Sequence, residues 1–292
     1  MRHLLDFQDV DKRHLEKLIE VTKTSEAKAE NLDSLAILKF DEPSTRTRLS
    51  FAIAAEKLGI KIFESSDSIS ANQKGEMLKH EIETYVSMGI EILVLRTKEN
   101  NIDDYRVLED VGVISGGFGD ISHPTQALID ISTLDSFDKL KGTSVPITYI
   151  GDVKHSRVFE SGRQLLSLLG YKVGVFTNQN LLPEDKSNVE IYESWDEVFE
   201  NTNAIELLRV QKERIQENEK IDFEDYVKNY QLTNKVLKKS RDDLIVLHPM
   251  PINVGIEISE DAIKDRKIKY LNQLSYAIPS RIAAFKYVKG EL

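Results

Sequence analysis

The 292-residue chain contains no cysteine. That excludes a disulfide framework, a thiolate nucleophile and any cysteine-ligated zinc or iron–sulfur site. Nor does any stretch approach the ~18–20 apolar residues of a membrane span. The opening residues, Met1-Arg2-His3-Leu4-Leu5-Asp6, are charged from the start, so no apolar core of signal-peptide length is present there. A Gly-x-x-x-x-Gly-Lys-Ser/Thr string is missing, which excludes a Walker-type phosphate loop. Internal repeats and low-complexity segments are missing too. Positive charge is in deficit: 39 Lys and Arg against 49 Asp and Glu give a net charge of −10. An acidic balance argues against nucleic acid or a membrane as the main partner, yet leaves room for a local basic pocket. The expectation is a soluble, cytoplasmic protein with no structural metal.

Length and hydropathy then suggest about two domains, each large enough to bury its own core. Short apolar runs at 35–40, 60–63 and 91–96 predict strands. Between them lie stretches of helical spacing. Leu49, Ile53, Ala54 and Leu58 recur on one face before Gly59, so a helix is predicted over 47–58, with others over 76–88 and 124–134. The alternation then restarts. Strands are predicted over 145–150, 173–177, 189–192, 204–208 and 244–248, with a helix over 157–169. Strands alternating with helices imply parallel sheets covered on both faces. Two such series imply an α/β fold of two doubly wound parallel-sheet domains, with the active site expected between them. The polar connector at 135–142 places the boundary near residues 127–142. The expected domains are 1–130 and 131–277, with an amphipathic C-terminal helix over 278–292 packing back on the first. The mixed-charge run Lys212 to Lys220 is expected on a solvated face.

Pro43-Ser44-Thr45-Arg46-Thr47-Arg48 sits between a predicted strand and a predicted helix. Hydroxyl residues there are expected helix caps. The same segment also gathers free N–H groups, three hydroxyls and two guanidinium groups at a helix N-terminus, which suits a phosphate or carboxylate. Capped helix and anion site both remain open from these residues alone. Further cations and imidazoles recur at the ends of later strands. Arg96 ends the run 91–95, and His123-Pro124-Thr125-Gln126 opens a helix. Arg157 opens another, Arg209 follows 204–208 with Gln211 close by, and His248-Pro249-Met250-Pro251 follows 244–247. One Arg at a strand end is usually a surface ion pair. Several at the carboxyl ends of successive strands converge on one crevice. An acidic protein that gathers arginines there is built for a polyanionic small ligand.

Taken in order, the strings Ser44-Thr45-Arg46-Thr47-Arg48, His123-Pro124-Thr125-Gln126, Leu208-Arg209-Val210-Gln211-Lys212-Glu213-Arg214 and His248-Pro249-Met250-Pro251 resemble the carbamoyltransferase family. The resemblance is to its aspartate carbamoyltransferase (aspartate transcarbamylase catalytic chain) branch and runs from about Leu4 to Val288. The first two strings are shared by all carbamoyltransferases. The Arg-Val-Gln-x-Glu-Arg and His-Pro-x-Pro strings mark the aspartate branch, whereas an ornithine enzyme would be expected to carry His-Cys-Leu-Pro.

The resemblance implies a carbamoyl-phosphate domain and an aspartate domain. The implied reaction moves the carbamoyl group of carbamoyl phosphate to the amine of L-aspartate, the second step of de novo pyrimidine biosynthesis. It implies that Ser44, Thr45, Arg46 and Thr47 hold the phosphate, and that Arg96 bridges phosphate and carbonyl oxygen. Thr47 and His123 reach that oxygen, Gln126 accepts the carbamoyl amide, and main-chain groups of Met250 and Pro251 complete the pocket. Arg157, Arg209 and Gln211 bind the aspartate carboxylates. Glu42 and Glu213 hold these arginines in place. Ser70 and Lys74 match a loop donated by the neighbouring subunit, Ser70 towards carbamoyl phosphate and Lys74 as a catalytic residue towards aspartate. A homotrimer with shared sites follows, with no metal or organic cofactor, and a separate regulatory chain remains open.

Three strings depart from the family pattern. Phe118 stands where an Asp is expected in Ser115-Gly116-Gly117-Phe118-Gly119, the run Ile252-Asn253-Val254-Gly255-Ile256-Glu257 after His248-Pro249-Met250-Pro251 has no Arg, and Tyr276-Ala277 replaces Asn-Gly. They leave two alternatives: a carbamoyltransferase with another amino acceptor, or a non-catalytic paralogue.

Overall fold

A computed structural model of the chain describes residues 1–24, 31–65, 78–210 and 222–292. It divides into two compact units, Met1–Ser132 with Ser275–Leu292, and Thr133–Leu274. In the first unit the strands are β1 (Leu35–Phe40), β2 (Lys61–Ser65), β3 (Ile92–Thr97) and β4 (Gly112–Phe118). In the second they are β5 (Ile147–Ile150), β6 (Val173–Phe176), β7 (Val189–Ile191), β8 (Ala204–Leu207) and β9 (Ile245–Leu247). The helices that matter for the site are α1 (Lys12–Thr24), α2 (Thr45–Lys57), α3 (Leu78–Ser87), α4 (Ile102–Arg106), α5 (Pro124–Ser136) and α6 (Arg157–Leu168). Later in the chain come α7 (Trp195–Asn201), α8 (Phe223–Tyr230), α9 (Asn234–Leu237), α10 (Tyr270–Ser275) and α11 (Ala277–Lys289). Among the described residues no helix is long and apolar enough to cross a membrane.

The first sheet is parallel throughout, with strand order β2-β1-β3-β4. Its central strands β1 and β3 read as near-continuous apolar runs because both of their faces are covered. Leu5, Ile37, Leu93, Leu95, Val113 and Phe118 share one core cluster. Strand β4 does not announce itself in the sequence: its seven residues include three glycines, poor strand formers. It forms because β3 pairs on one side and the N-terminal segment on the other. Leu4 N–H donates to the Val113 carbonyl at 2.8 Å, and Ser115 N–H donates to Leu4 at 2.9 Å. That tail also covers an otherwise open sheet edge. α11 packs against α1 and α2, with Phe285 edge-on to Phe51 at 5.7 Å.

The second sheet is also parallel, ordered β7-β6-β5-β8-β9. Ile150, Phe176, Ile205, Leu207 and Val246 lie in its core, with Val198 and Phe199 of α7 packed on them. Five predicted strands of this half are all present, shortened by a residue or two.

Strand order positions the functional side chains. In the first sheet the chain passes from β1 outward to β2 and then returns to the far side of β1 as β3. The winding therefore reverses between β1 and β3. In the second sheet it runs β5, β6, β7 and returns as β8 beside β5, so the reversal lies between β5 and β8. At such a switch point the loops after two adjacent strands splay apart and leave a crevice at their carboxyl ends. The segment 41–47 and Arg96 lie at the first, and the segment 151–157 and Arg209 at the second.

Candidate active site

At the first switch point, α2 starts within five residues of the end of β1. Ser44 is its N-cap, extended at φ −155°, yet its hydroxyl makes no capping hydrogen bond. Ser156, Ser194, Asp222 and Thr233 behave differently, because each accepts from a backbone N–H of the helix it starts. The first amides of α2 are thus left open beside the hydroxyls of Ser44, Thr45 and Thr47, at the positive end of the helix dipole. Thr45 and Arg46 are exposed and Thr47 is buried. Arg46 forms no ion pair among the described residues, and partial burial lowers its pKa from the usual guanidinium value. It remains a cation, since an arginine keeps its proton in proteins. Its neighbour Arg48 is engaged instead, with Glu64 at 3.2 Å and over the Phe40 ring. An open groove of ≈ 710 Å³ runs along this segment, lined by Glu42, Ser44, Thr45, Arg48 and Leu49 among others.

Arg96 stands across from this helix start, on the last turn of strand before β3 ends. Its Nε lies 3.3 Å from Glu42 Oε2. Its Nη1 donates to the Gly116 carbonyl at 3.1 Å and to Thr47 Oγ1 at 3.5 Å. The Gly116 contact comes from an irregularity in the ladder: Leu95 pairs with Ser115, but Arg96 pairs with Gly117, so Gly116 is bulged out. The guanidinium is thereby held on three sides. His123 and Gln126 follow β4, the next strand over. Pro124 takes the first helical position of α5, where a missing N–H costs nothing. His123 is buried one residue before it, and Gln126 is buried one turn in, its Nε2 donating to Asp130 Oδ1 at 2.8 Å.

At the second switch point, Gly151 has φ +130°, and a Cβ there would lie 2.1 Å from the Leu208 carbonyl oxygen. Only glycine permits the strand ends to approach this closely. Leu208 N–H donates to the Ile150 carbonyl at 2.7 Å, extending the β5–β8 pairing to the residue before Arg209. The loop after Gly151 is ordered by Asp152, fully buried, whose Oδ1 lies 2.8 Å from His155 Nδ1 and accepts the His155 N–H at 3.3 Å. Ser156 then caps α6, and Arg157, its first residue, is buried. Arg209 is half-buried.

Met250 and Pro251 follow β9. Met250 is in the left-handed region at φ 63°, and the Met250–Pro251 bond is cis. Its N–H donates to His248 Nδ1 at 2.8 Å, which leaves that imidazole nitrogen unprotonated. His248 N–H donates to Gln273 Oε1, and Gln273 Nε2 donates to the buried Glu206. The loop continues to Glu257, which is 1% exposed. Its carboxylate accepts from Val210 N–H at 3.0 Å, Asn253 N–H at 2.8 Å and Asn253 Nδ2 at 3.0 Å. Burial pushes the Glu257 pKa up while these donors pull against it. Asp152, Glu206, Glu257 and Asp130 were not singled out by the sequence reading. For Asp152 the Asp-x-x-His spacing of an Asx turn is a usable signal. Asp130 and Glu257 each meet an amide side chain four residues earlier, Gln126 and Asn253, a spacing that by itself does not mark a site, and the partner of Glu206, Gln273, is distant in the chain.

Ser70, Lys74, Gln211 and Glu213 lie outside the described residues, as does the run Lys212–Lys220. The departures from the family strings are accounted for in part. Phe118 is fully buried, edge-on to Tyr105 at 5.4 Å, so an apolar ring takes a place in the core. Val254 is exposed in the loop held by Glu257. Ala277 begins α11, and its carbonyl accepts from Ser280 Oγ and Arg281 Nη1.

Two parallel α/β units, each gathering cations at its switch point, and one with an uncapped helix start between Arg46 and Arg96, define a binder of small anions. Comparison with known proteins narrows this. Residues 2–136 match the aspartate/ornithine carbamoyltransferase carbamoyl-P binding domain. Residues 143–288 match the Asp/Orn binding domain. The chain belongs to the aspartate/ornithine carbamoyltransferase family. It is 32% identical to the aspartate carbamoyltransferase catalytic subunit of Aquifex aeolicus, covering 99% of each chain. It is 35% identical to that of Thermus thermophilus, over 99% of this chain and 98% of the relative. Among solved structures, the catalytic subunit of M. jannaschii aspartate transcarbamoylase superposes with a TM-score of 0.80 at 28% identity, over 100% of this chain and 99% of the other.

Proposed function

We infer that this chain transfers the carbamoyl group of carbamoyl phosphate to the amine of L-aspartate, releasing N-carbamoyl-L-aspartate and phosphate. The observation that carries this reading is the uncapped start of α2, with Arg46 in no ion pair among the described residues and Arg96 held opposite it by Glu42. It stands in a chain whose relatives bear that activity in their names over nearly their full length.

The phosphate occupies the α2 start, on the open amides, the hydroxyls of Ser44, Thr45 and Thr47, and Arg46. Arg96 reaches both a phosphate oxygen and the carbonyl oxygen. The deprotonated amine of aspartate attacks the carbonyl carbon, and negative charge grows on that oxygen. Arg96, Thr47 and His123 stabilise it as an oxyanion hole does. Because Arg96 is already oriented, little reorganisation accompanies the charge development. The C–O bond to phosphate then breaks, phosphate leaves with the electron pair, and the amine nitrogen loses its remaining extra proton. Gln126 and the main chain of Met250 and Pro251 hold the carbamoyl amide. Arg157, Arg209 and Gln211 hold the two aspartate carboxylates, for which the planar fork of arginine is suited. Both substrates are anions, so several cations are needed to offset their repulsion. Holding them in near-attack geometry supplies much of the acceleration.

The proposal extends to a cytoplasmic homotrimer acting in pyrimidine biosynthesis, with Ser70 and Lys74 reaching the site of the adjacent subunit. A separate regulatory chain is compatible with relatives named catalytic subunits. The test is product formation by the purified chain from carbamoyl phosphate with L-aspartate, and in parallel with L-ornithine. Carbamoyl-aspartate alone is the expected result. Product with ornithine would move the reading to another acceptor, and no product from a folded trimer would favour a non-catalytic paralogue.

A further inference from the structure

Gln126 and Asp130 lie one turn apart on α5, at 8% and 3% exposure. Gln126 Nε2 donates to Asp130 Oδ1 at 2.8 Å and makes no other side-chain hydrogen bond among the described residues. An ionised carboxylate can only accept. The amide of Gln126 therefore has one permitted orientation, nitrogen towards Asp130 and oxygen away from it. A neutral partner would not impose this choice, because either end of an amide can meet a hydroxyl or another amide.

The charge of Asp130 also acts on a second buried group. Arg281, on α11, is also 3% exposed. Its hydrogen-bond partners are neutral: Nη1 donates to the Ala277 carbonyl at 3.3 Å and to Ser280 Oγ at 2.7 Å, and the guanidinium lies over the Phe51 ring at 5.4 Å. Among the described residues, the carboxylate whose charge acts on it is Asp130. Burial lowers the Arg281 pKa to about 9, which still leaves it cationic at neutral pH. Each buried charge offsets the cost of the other.

We propose that Asp130 is a positioning residue that sets the Gln126 amide and through it the choice of donor substrate. With its oxygen turned away from Asp130, Gln126 accepts an N–H of carbamoyl phosphate. It offers nothing to acetyl phosphate, which carries a methyl group in that place. Discrimination of this kind is strong when a site hydrogen-bonds a group that the competitor lacks. The inference rests on the reading of Gln126 as the holder of the carbamoyl amide, and the test separates the two.

The readout is a preference: the Ki of acetyl phosphate as a competitor divided by the KM of carbamoyl phosphate. In Asp130→Asn the amide has two orientations of similar energy. The preference is expected to fall about tenfold, the worth of one such hydrogen bond, through a higher KM for carbamoyl phosphate with the Ki of acetyl phosphate unchanged. A merely structural defect would move both constants together. If Asp130→Asn does not fold, the double variant Asp130→Asn with Arg281→Met removes the buried cation as well, and the same loss is expected. Gln126→Leu is the control. A wild-type preference in the folded Asp130 variant, alongside a lowered one in Gln126→Leu, would overturn the role of Asp130 while leaving that of Gln126. A wild-type preference in Gln126→Leu would overturn the reading of Gln126 and this inference with it.

Discussion

Glu42 in the loop after β1 and Arg96 near the end of β3 meet through their side chains at 3.3 Å, both mostly buried. Strand order makes the pair possible: β1 and β3 are hydrogen-bonded neighbours, with Phe40 opposite Arg96 in the register. The carboxylate meets the guanidinium at Nε, while Thr47 and the Gly116 carbonyl meet it at Nη1.

Replacing Glu42 by Gln keeps the shape and removes the charge that orients Arg96. Close charge pairs shielded from water couple by roughly 1.5–7 kcal/mol; at the low end of that range kcat/KM for carbamoyl phosphate should fall roughly 10- to 100-fold. The melting temperature should change little, because Gln can still occupy the same place. Steady-state kinetics with a thermal melt would check both parts.

Arg46→Ala should reduce carbamoyl transfer by at least about a hundredfold, since a charge-assisted contact to phosphate is lost. Its side chain is exposed and forms no ion pair among the described residues, so the fold should be retained. Wild-type activity in a folded Arg46→Ala protein would sink the assignment of α2 as the phosphate holder.

Gly151→Ala should be severely destabilising, by about 3 kcal/mol or more. The new Cβ would need φ +130° and would lie 2.1 Å from the Leu208 oxygen. Relief requires β5 and β8 to part just ahead of Arg209. Urea unfolding would report the loss, and any residual activity should show a raised KM for aspartate rather than for carbamoyl phosphate.

His3 pins the N-terminal segment to the first sheet as a neutral ring. Val113 N–H donates to its Nδ1 at 3.1 Å, so Nε2 carries the proton that meets the Leu108 carbonyl at 2.8 Å. Burial lowers the His3 pKa below its ordinary value. With the folded pKa depressed, the unfolded chain binds the extra proton first. The contribution of His3 is then complete above the ordinary imidazole pKa of about 6.5 and is lost as pH falls through it towards the folded value. Glutamine offers a donor and an acceptor without titrating. The stability difference between wild type and His3→Gln should therefore shift against wild type between neutral pH and pH ~5, which paired denaturation curves would measure.

Mixing two inactive variants tests the shared site. If Lys74 is contributed across subunits, trimers reassembled from Lys74→Ala and Arg46→Ala chains should regain activity, because some sites then contain neither substitution. Well-mixed hybrids without recovered activity would place the whole site within one chain.

The strands β1, β3, β5, β6 and β8 are legible as apolar runs, and the helices α2, α5 and α6 as periodic stretches, because their burial follows from local hydropathy. The site strings are legible for a related reason. Ser44 to Arg48 and His123 to Gln126 are contiguous, so their chemistry is written next to itself. Strand β4 is different: its glycines conceal it, and pairing with β3 and with Leu4 makes it a strand.

By itself, then, the sequence determined the class of fold, the candidate anion-binding segment and the family, all carried by residues near one another in the chain. Tertiary structure alone decided where the winding of each sheet reverses, and so which loops face each other. That placement brings Glu42 to Arg96, bulges Gly116 towards the same guanidinium, and sets Arg281 near Asp130. Such contacts close long loops, and their energy comes from desolvated charge and exact distance, neither of which has a local signature in residue order.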